Sequence, residues 1–158
     1  MEISETTPEV LEKSMYSYAL PFPKDTKVEK IIKDPEEGTH NGPFKGAIDF
    51  IVPLGTDVLA PQDGFVTEVV DKHKKSGSSE KFQKELNYIT INHGNEFSQV
   101  AHLAKGSVIV KEGFFVLKGQ KVAETGKSGQ MSEPHLHLFI FKQKDTPGKF
   151  VGLDPRFE

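Results

Sequence analysis

From residue 47 onward the chain is a succession of short apolar runs, each followed by turn residues. The runs are rich in β-branched and aromatic side chains, and Gly, Pro, Asp or Asn separates them at close intervals. That spacing is typical of a small sandwich or barrel, so we predict an all-β, antiparallel fold. The runs are AIDFIVPLG, DVLAP, GFVTEVVD, LNYITINHG, FSQVAHL, SVIV, KVAETG and HLHLFIFK.

The segments outside these runs are polar. Residues 1–20 are predicted to be an N-terminal extension, in which TTPEVLEKSMYSYAL favours a short helix with Thr7 as N-cap and Pro8 in the first turn. The stretch KKSGSSEKFQKE at 74–85 is expected to be a mobile loop between two strands. We therefore predict a single β domain over residues 21–158.

Two of the runs resemble each other. GTDVLAPQDG begins at Gly55 and GQKVAETGKSG begins at Gly119, and both read glycine, two residues, valine and then a second glycine turn. This similarity suggests a duplicated hairpin unit.

The last apolar run carries two histidines at its entrance. On a strand, His135 and His137 face the same way, whereas Leu136, Leu138 and Ile140 take the opposite face. Because both faces are apolar further along, we expect this strand to be central and buried. Taken alone, the pair fits a hydrogen-bonded structural role as well as a metal or catalytic role.

Three further residues are candidate partners for this pair. Asp49 lies inside an apolar run, where a carboxylate is costly unless a cation or several donors meet it. His102 also lies in an apolar strand pattern, and His40 stands in a loop nine residues before Asp49. Zinc without cysteine is normally held by three histidine or carboxylate ligands, with a fourth position left for water. Singly, each of these residues also has an ordinary reading as a turn, surface or structural residue.

Composition narrows the classes of function. A chain of 158 residues with 35% hydrophobic content supports one core. The net charge is -3 and Arg156 is the one arginine, so nucleic acid is not an expected partner. The absence of cysteine excludes disulfides, thiolate metal sites and a cysteine nucleophile. We expect no transmembrane segment, no secretion signal in this sequence and a monomer.

Four stretches in the same order resemble the lysostaphin-type, or LytM-like, zinc metallopeptidase domain. They are GAIDFIVPLGTDVLAPQDGFV, VAHL, VLKGQKVAETGKSG and EPHLHLFIF, and the resemblance covers roughly residues 40–142. It implies a barrel-sandwich hybrid fold of the duplicated hybrid motif kind. It also implies hydrolysis of peptide bonds in peptidoglycan stem peptides or glycine-rich cross-bridges.

Carried over residue by residue, the resemblance implies one Zn2+ ion held by His40, Asp49 and His137. It implies that His102 and His135 are catalytic histidines that do not bind the metal. A peptidoglycan substrate implies an extracellular, periplasmic or cell-wall location.

The sequence departs from the family pattern at two positions. Lys45 stands four residues before Asp49, where the family usually has its first histidine, so His40 would serve through a longer loop. Val100 stands where a tyrosine usually precedes His102 by two residues.

Other classes of function remain open at this point. One is a metal-free, inactive relative that binds cell-wall peptides or regulates a partner enzyme. Another is a phosphocarrier like the glucose-specific carrier of the sugar phosphotransferase system, although a carboxylate in the cluster would repel a phosphohistidine. A purely structural β domain is the third.

Overall fold

The computed structural model describes residues 10–33, 44–131 and 133–158. The short 3-10 helix Glu80–Glu85 accompanies strands that make up the bulk of the regular structure, which confirms the all-β prediction. The strands in chain order are β1 Lys13–Tyr18, β2 Lys30–Ile32, β3 Ile48–Ile51, β4 Asp57–Leu59, β5 Gly64–Val70, β6 Ser76–Gly77, β7 Tyr88–Asn92, β8 Phe97–Ala101, β9 Phe115–Val116, β10 Lys121–Glu124, β11 Gly129–Gln130, β12 Leu136–Gln143, β13 Phe150–Gly152 and β14 Asp154–Phe157.

One large antiparallel sheet organises the molecule. Its strand order is β2-β3-β12-β8-β7-β5-β9, and β13 pairs with the far end of β12. Strand β12 lies between β3 and β8 and is the longest strand of the sheet. The predicted central position of the histidine-bearing strand is therefore confirmed.

The hydrophobic core lies against one face of β12. Leu136, Leu138 and Ile140 are fully buried there, as the alternation of side chains along a strand predicts. On the other face, beyond the histidines, Phe139 and Phe141 stack with their ring centres 5.2 Å apart. Apolar side chains thus cover both faces of this strand and hold it rigidly behind the histidines.

The two similar runs pair with each other. Strands β4 and β10 form a two-stranded antiparallel sheet in which Val58 and Val122 are both fully buried. Gly55 and Gly119 begin the two runs with φ angles of 81° and 86°, a left-handed conformation that glycine adopts without strain. The two similar runs therefore occupy equivalent positions, each supplying one strand of the β4–β10 pair after a left-handed glycine.

The helix predicted within the N-terminal extension is wrong for residues 13–18. These residues form β1, which pairs in parallel with β14 and so joins the two ends of the described chain. Ser14 and Tyr18 are buried, with Tyr16 between them on the same face, which is the two-residue period of a strand. Pairing with β14 outweighed the local helix signal; Thr7 and Pro8 lie outside the described residues.

Two other local predictions differ from the structure. The polar stretch 74–85 contains β6 and the 3-10 helix, and β6 pairs with β11, so this segment is an ordered part of the fold. The run SVIV is extended chain rather than a strand, with Ile109 N–H donating to the carbonyl of Val122 at 3.0 Å. Val108 N–H donates to the side-chain carboxylate of Asp71 at 3.2 Å, so a side chain takes the place of a strand partner there.

In the part of the chain that the structure describes, no helical segment has the length and hydrophobicity that spanning a bilayer requires.

Candidate active site

The first pair of site residues lies on neighbouring strands. Asp49 of β3 and His137 of β12 are direct partners in the antiparallel register. Their side chains meet, with Nδ1 of His137 3.0 Å from Oδ1 of Asp49. Both side chains are largely buried, at 11% exposed for the imidazole and 14% for the carboxylate. The pairing of β3 with β12 therefore brings together residues that are far apart in sequence.

His135 joins this pair from the entrance of β12. Its Nε2 lies 3.5 Å from Oδ1 of Asp49. Its Nδ1 lies 2.9 Å from the carbonyl oxygen of Glu133. Because a carbonyl only accepts, this contact places a proton on Nδ1 and leaves Nε2 directed at the carboxylate.

His102 reaches the cluster through an unusual backbone conformation. It follows Ala101, the last residue of β8, and Ala101 is the register partner of His137. The φ angle of His102 is 68°, in the left-handed region that residues with a Cβ seldom adopt. Continued strand alternation would give His102 the same face as Val100, which is 1% exposed in the core. The left-handed residue breaks that alternation.

The ring of His102 packs against both other histidines. Its centre is 4.2 Å from that of His135 and 5.9 Å from that of His137. Its Nδ1 donates to the carbonyl oxygen of Ser128 at 2.7 Å. Burial, together with the two neighbouring histidines, lowers the pKa of His102 to about 3. His102 is therefore a neutral imidazole whose proton is on Nδ1.

Two polar residues that the sequence analysis did not single out surround His102. Asn87 and Ser128 are both fully buried and hydrogen-bonded to each other, Asn87 N–H donating to Ser128 Oγ at 3.1 Å. The carbonyl of Asn87 accepts from His102 N–H at 3.1 Å. Neither residue stands out in the sequence, because asparagine and serine beside a turn usually face solvent.

The glycine-rich segment after β10 forms one wall of the site. Gly126 N–H donates to the carbonyl of His102 at 3.0 Å, and a Cβ on Gly126 would lie 2.3 Å from Cα of Ala104. Gly129 N–H donates to the carbonyl of Lys75, which ties the wall to the segment that carries β6. The wall needs glycine at 126 because backbone approaches backbone there.

The donor set suits zinc. Two ligands on one tetrahedral zinc ion lie about 3.3 Å apart, given metal–ligand bonds of about 2.0 Å. The 3.0 Å separation of His137 Nδ1 and Asp49 Oδ1 is close to that value. Among the described residues no group of three His, Asp or Glu side chains is arranged to hold a metal ion, and His40, the third predicted ligand, lies outside them.

Comparison with known proteins finds a family model and curated relatives that match this chain. The model of Peptidase family M23 matches residues 43–148. The chain is 35% identical over 99 residues to the peptidoglycan DD-endopeptidase ShyA of Vibrio cholerae, which covers 62% of this chain and 19% of that protein. It is 38% identical over 96 residues to an uncharacterized metalloprotease of Haemophilus influenzae, covering 60% of this chain and 18% of that protein. The chain spans about a fifth of the length of these curated relatives.

Solved structures share the fold. A zinc-containing peptidase from Vibrio cholerae superposes with a TM-score of 0.59 at 25% identity, covering 88% of this chain and 40% of that one. The catalytic domain of lysostaphin from Staphylococcus simulans superposes with a TM-score of 0.52 at 24% identity, covering 87% of this chain and 85% of that one.

The family match extends from just before Asp49 to beyond His137 and includes His102 and His135. The paired strands β3 and β12 and the histidine cluster lie within the matched residues. The solved structures share the fold that contains them. The chain belongs to Peptidase family M23.

Proposed function

We propose that this chain is a zinc-dependent endopeptidase that hydrolyses peptide bonds in peptidoglycan stem peptides or cross-bridges. The observation that carries the proposal is the meeting of Asp49, His137, His135 and His102 at one place on the large sheet. Support for the substrate comes from ShyA, named a peptidoglycan DD-endopeptidase. Such a substrate implies action in the periplasm, at the cell wall or outside the cell.

The metal would be held by Asp49 and His137, with His40 as third ligand. When bound, zinc would polarise the substrate carbonyl and lower the pKa of its water ligand towards about 7. Asp49 is suited to this role because a carboxylate among buried side chains gains most from a cation. The cation would also account for an aspartate in an otherwise apolar strand.

His102 is assigned the role of proton acceptor. Its Nδ1 proton is held on the Ser128 carbonyl, so the lone pair of the neutral ring is on Nε2. This neutral nitrogen would take the proton of the attacking water as a general base, a role that requires the pKa of His102 to rise from about 3 towards neutrality once zinc and substrate are bound. The Ser128 carbonyl would continue to bind Nδ1–H in the imidazolium that results.

His135 is assigned the complementary role of donor. When protonated, it donates from Nδ1 to the Glu133 carbonyl, and its Nε2–H faces the side of Asp49. The nearby carboxylate stabilises that charge. The Nε2–H would then stabilise the oxyanion that develops on the substrate carbonyl.

The function is tested by digesting purified peptidoglycan and identifying the fragments by mass spectrometry. We expect the wild-type protein to release fragments with newly formed amino and carboxyl ends, and Asp49→Asn to release none. His93→Gln is a suitable control, since His93 bonds the Asp63 carbonyl and Ser98 Oγ away from the cluster. If the wild-type protein loaded with zinc leaves every peptide intact, a non-catalytic role in binding cell-wall peptides or regulating a partner enzyme replaces this proposal.

The ligand role of His40 has its own test. We expect His40→Ala to lose zinc and activity together, while Lys45→Ala keeps both. Full zinc content and full activity in His40→Ala would show that another group is the third ligand.

A further inference from the structure

The buried residues Asn87 and Ser128 hydrogen-bond to His102 and to Leu103, the residue that follows it. The side-chain amide of Asn87 donates to the carbonyl of Leu103 at 3.1 Å, and Ser128 Oγ donates to the same carbonyl at 3.0 Å. The carbonyl of Asn87 accepts from the N–H groups of His102 and Leu103 at 3.1 and 3.3 Å. The two residues together therefore bind the N–H groups of His102 and Leu103 and the carbonyl of Leu103, whereas the carbonyl of His102 accepts from Gly126 N–H.

Asn87 is itself fixed by the segment that connects β5 to β6. Its Oδ1 accepts from His73 N–H at 2.9 Å, and its Nδ2 donates to the His73 carbonyl at 2.6 Å. Both side-chain atoms of Asn87 are thus engaged, and the side chain cannot rotate without breaking several buried hydrogen bonds. Because Asn87 has this many buried hydrogen bonds, its position is fixed, and it fixes the backbone of His102 and Leu103 in turn.

His102 needs such an anchor because its backbone is strained. A histidine with a φ angle of 68° persists only where the surroundings over-determine it. The same network holds the Ser128 carbonyl, which sets the tautomer of the His102 ring. One cluster thereby controls both the direction of the ring and the nitrogen that bears the lone pair.

We propose that Asn87 and Ser128 are positioning residues for His102. They hold its left-handed backbone and its Nδ1–H tautomer, so that Nε2 is always the accepting nitrogen. The proposal rests on the proposed function for its catalytic consequence, but the tautomer itself is a property of the resting protein.

The first test is the nitrogen NMR spectrum of the histidine rings in the wild-type protein, recorded metal-free and with zinc. We expect the His102 signals of a single tautomer with the proton on Nδ1. A proton on Nε2 overturns the proposal. This spectrum requires no catalysis, so a protein that fails to cleave peptidoglycan refutes the proposed function without affecting the tautomer result.

The second test compares Ser128→Ala with Ser14→Ala. Ser14 is a matched control, because it is equally buried and its hydroxyl also donates to one carbonyl, that of Tyr16, and accepts from one N–H, that of Arg156. We expect both variants to lower the melting temperature to a similar extent. Only Ser128→Ala should mix the His102 tautomers.

The kinetic result should separate the variants further. We expect Ser128→Ala to lower kcat by about 10–100-fold with KM within about 2-fold, as for other residues that orient a reactive group. Ser14→Ala should keep kcat within about 2-fold. Asn87→Ala provides a second variant with the same expected spectrum and kcat. If Ser128→Ala and Asn87→Ala keep the wild-type spectrum and kcat, the proposal is overturned.

Discussion

Nδ1 of His137 lies 3.0 Å from Oδ1 of Asp49, and the two residues are direct partners across β12 and β3. The contact depends on the register of two central strands, and Leu136 and Leu138 lock that register from the core face. A slip of one residue would bury both polar groups in the core. The geometry of the site is therefore a consequence of the packing behind it.

The two histidines of β12 should separate metal binding from chemistry. We predict that His137→Ala loses zinc and activity together, because a proposed ligand is removed. His135→Ala should keep zinc but lose activity by about 10²–10⁴-fold, the usual contribution of a general acid or base. Zinc content by atomic spectroscopy and hydrolysis rates on the same samples provide the measurement. Loss of zinc in His135→Ala alone would reverse the two roles.

The metal-free protein should become less stable as the pH falls below about 6.5. Burial lowers the pKa of His93 and of His102 in the folded state, so the unfolded chain, with a histidine pKa of about 6.5, binds more protons in this range. The contribution of these two histidines to the free energy of unfolding is therefore fully present above about pH 6.5. It is lost as the pH falls towards their pKa values in the folded state. Each group contributes at most about 1.4 kcal/mol per pH unit.

Urea unfolding between pH 7 and pH 5 measures this effect, in a window where most carboxylates stay ionised. His93→Gln should show a shallower dependence on pH than the wild-type protein. A free energy of unfolding that is constant or rises towards pH 5 would contradict the prediction.

The hydroxyl of Tyr18 should stabilise the attachment of β1. It donates at 2.8 Å to Oε1 of Glu96, a carboxylate that is only 4% exposed and also accepts from Met15 N–H. We predict that Tyr18→Phe lowers the free energy of unfolding by about 1–3 kcal/mol, because a buried acceptor loses a donor. Activity should be unchanged.

Tyr88→Phe is the control for Tyr18→Phe. Tyr88 is partly exposed and bonds Glu68 at the edge of the core, and its pKa is raised to about 12, first by burial and then by that bond. Its variant should lose no more than about 0.5 kcal/mol. Equal losses of unfolding free energy in the two variants would show that the buried hydrogen bond to Glu96 stabilises the protein no more than the exposed one to Glu68.

Gly126→Ala should lower activity, because Gly126 lies in the glycine-rich wall of the site and bonds to His102. The added Cβ would meet the backbone of Ala104 at 2.3 Å, and Gly126 N–H donates to the His102 carbonyl, so relief of the clash displaces His102. We predict a loss of about 10²-fold in activity, the scale expected for a misplacement of about 1 Å.

Gly106→Ala separates that clash from general strain. Gly106 has a φ angle of 78° but open space around it, so alanine there should cost about 1–2 kcal/mol of stability and leave activity near the wild-type value. Circular dichroism and hydrolysis rates on both variants give the comparison. An active Gly126→Ala would mean that the wall adjusts without moving His102.

The predictable part of the molecule is the part governed by strand alternation. The facing of His135 and His137, the core positions of Leu136 and Leu138 and the central place of their strand all follow from a period of two. Alternation misplaces His102 relative to Val100, because one left-handed residue breaks the period and sequence gives no sign of it.

Contacts between residues far apart in sequence determined the features that the sequence did not predict. Residues 13–18 form a strand because β14 offers an edge, whereas their local pattern favours a helix. Asn87 and Ser128 owe their roles to hydrogen bonds with His73 and Leu103, which only the folded chain brings near. Polar residues that act inside a core look in sequence like those that face solvent.

We propose that this chain cleaves peptidoglycan peptides with the help of zinc. Removal and return of the metal tests it: release of new amino groups from purified peptidoglycan is measured before chelation, after chelation and after zinc is added back. We predict that chelation abolishes the release and that about one equivalent of zinc per chain restores it. Release that survives chelation, or a zinc-loaded protein that releases nothing, would contradict the account.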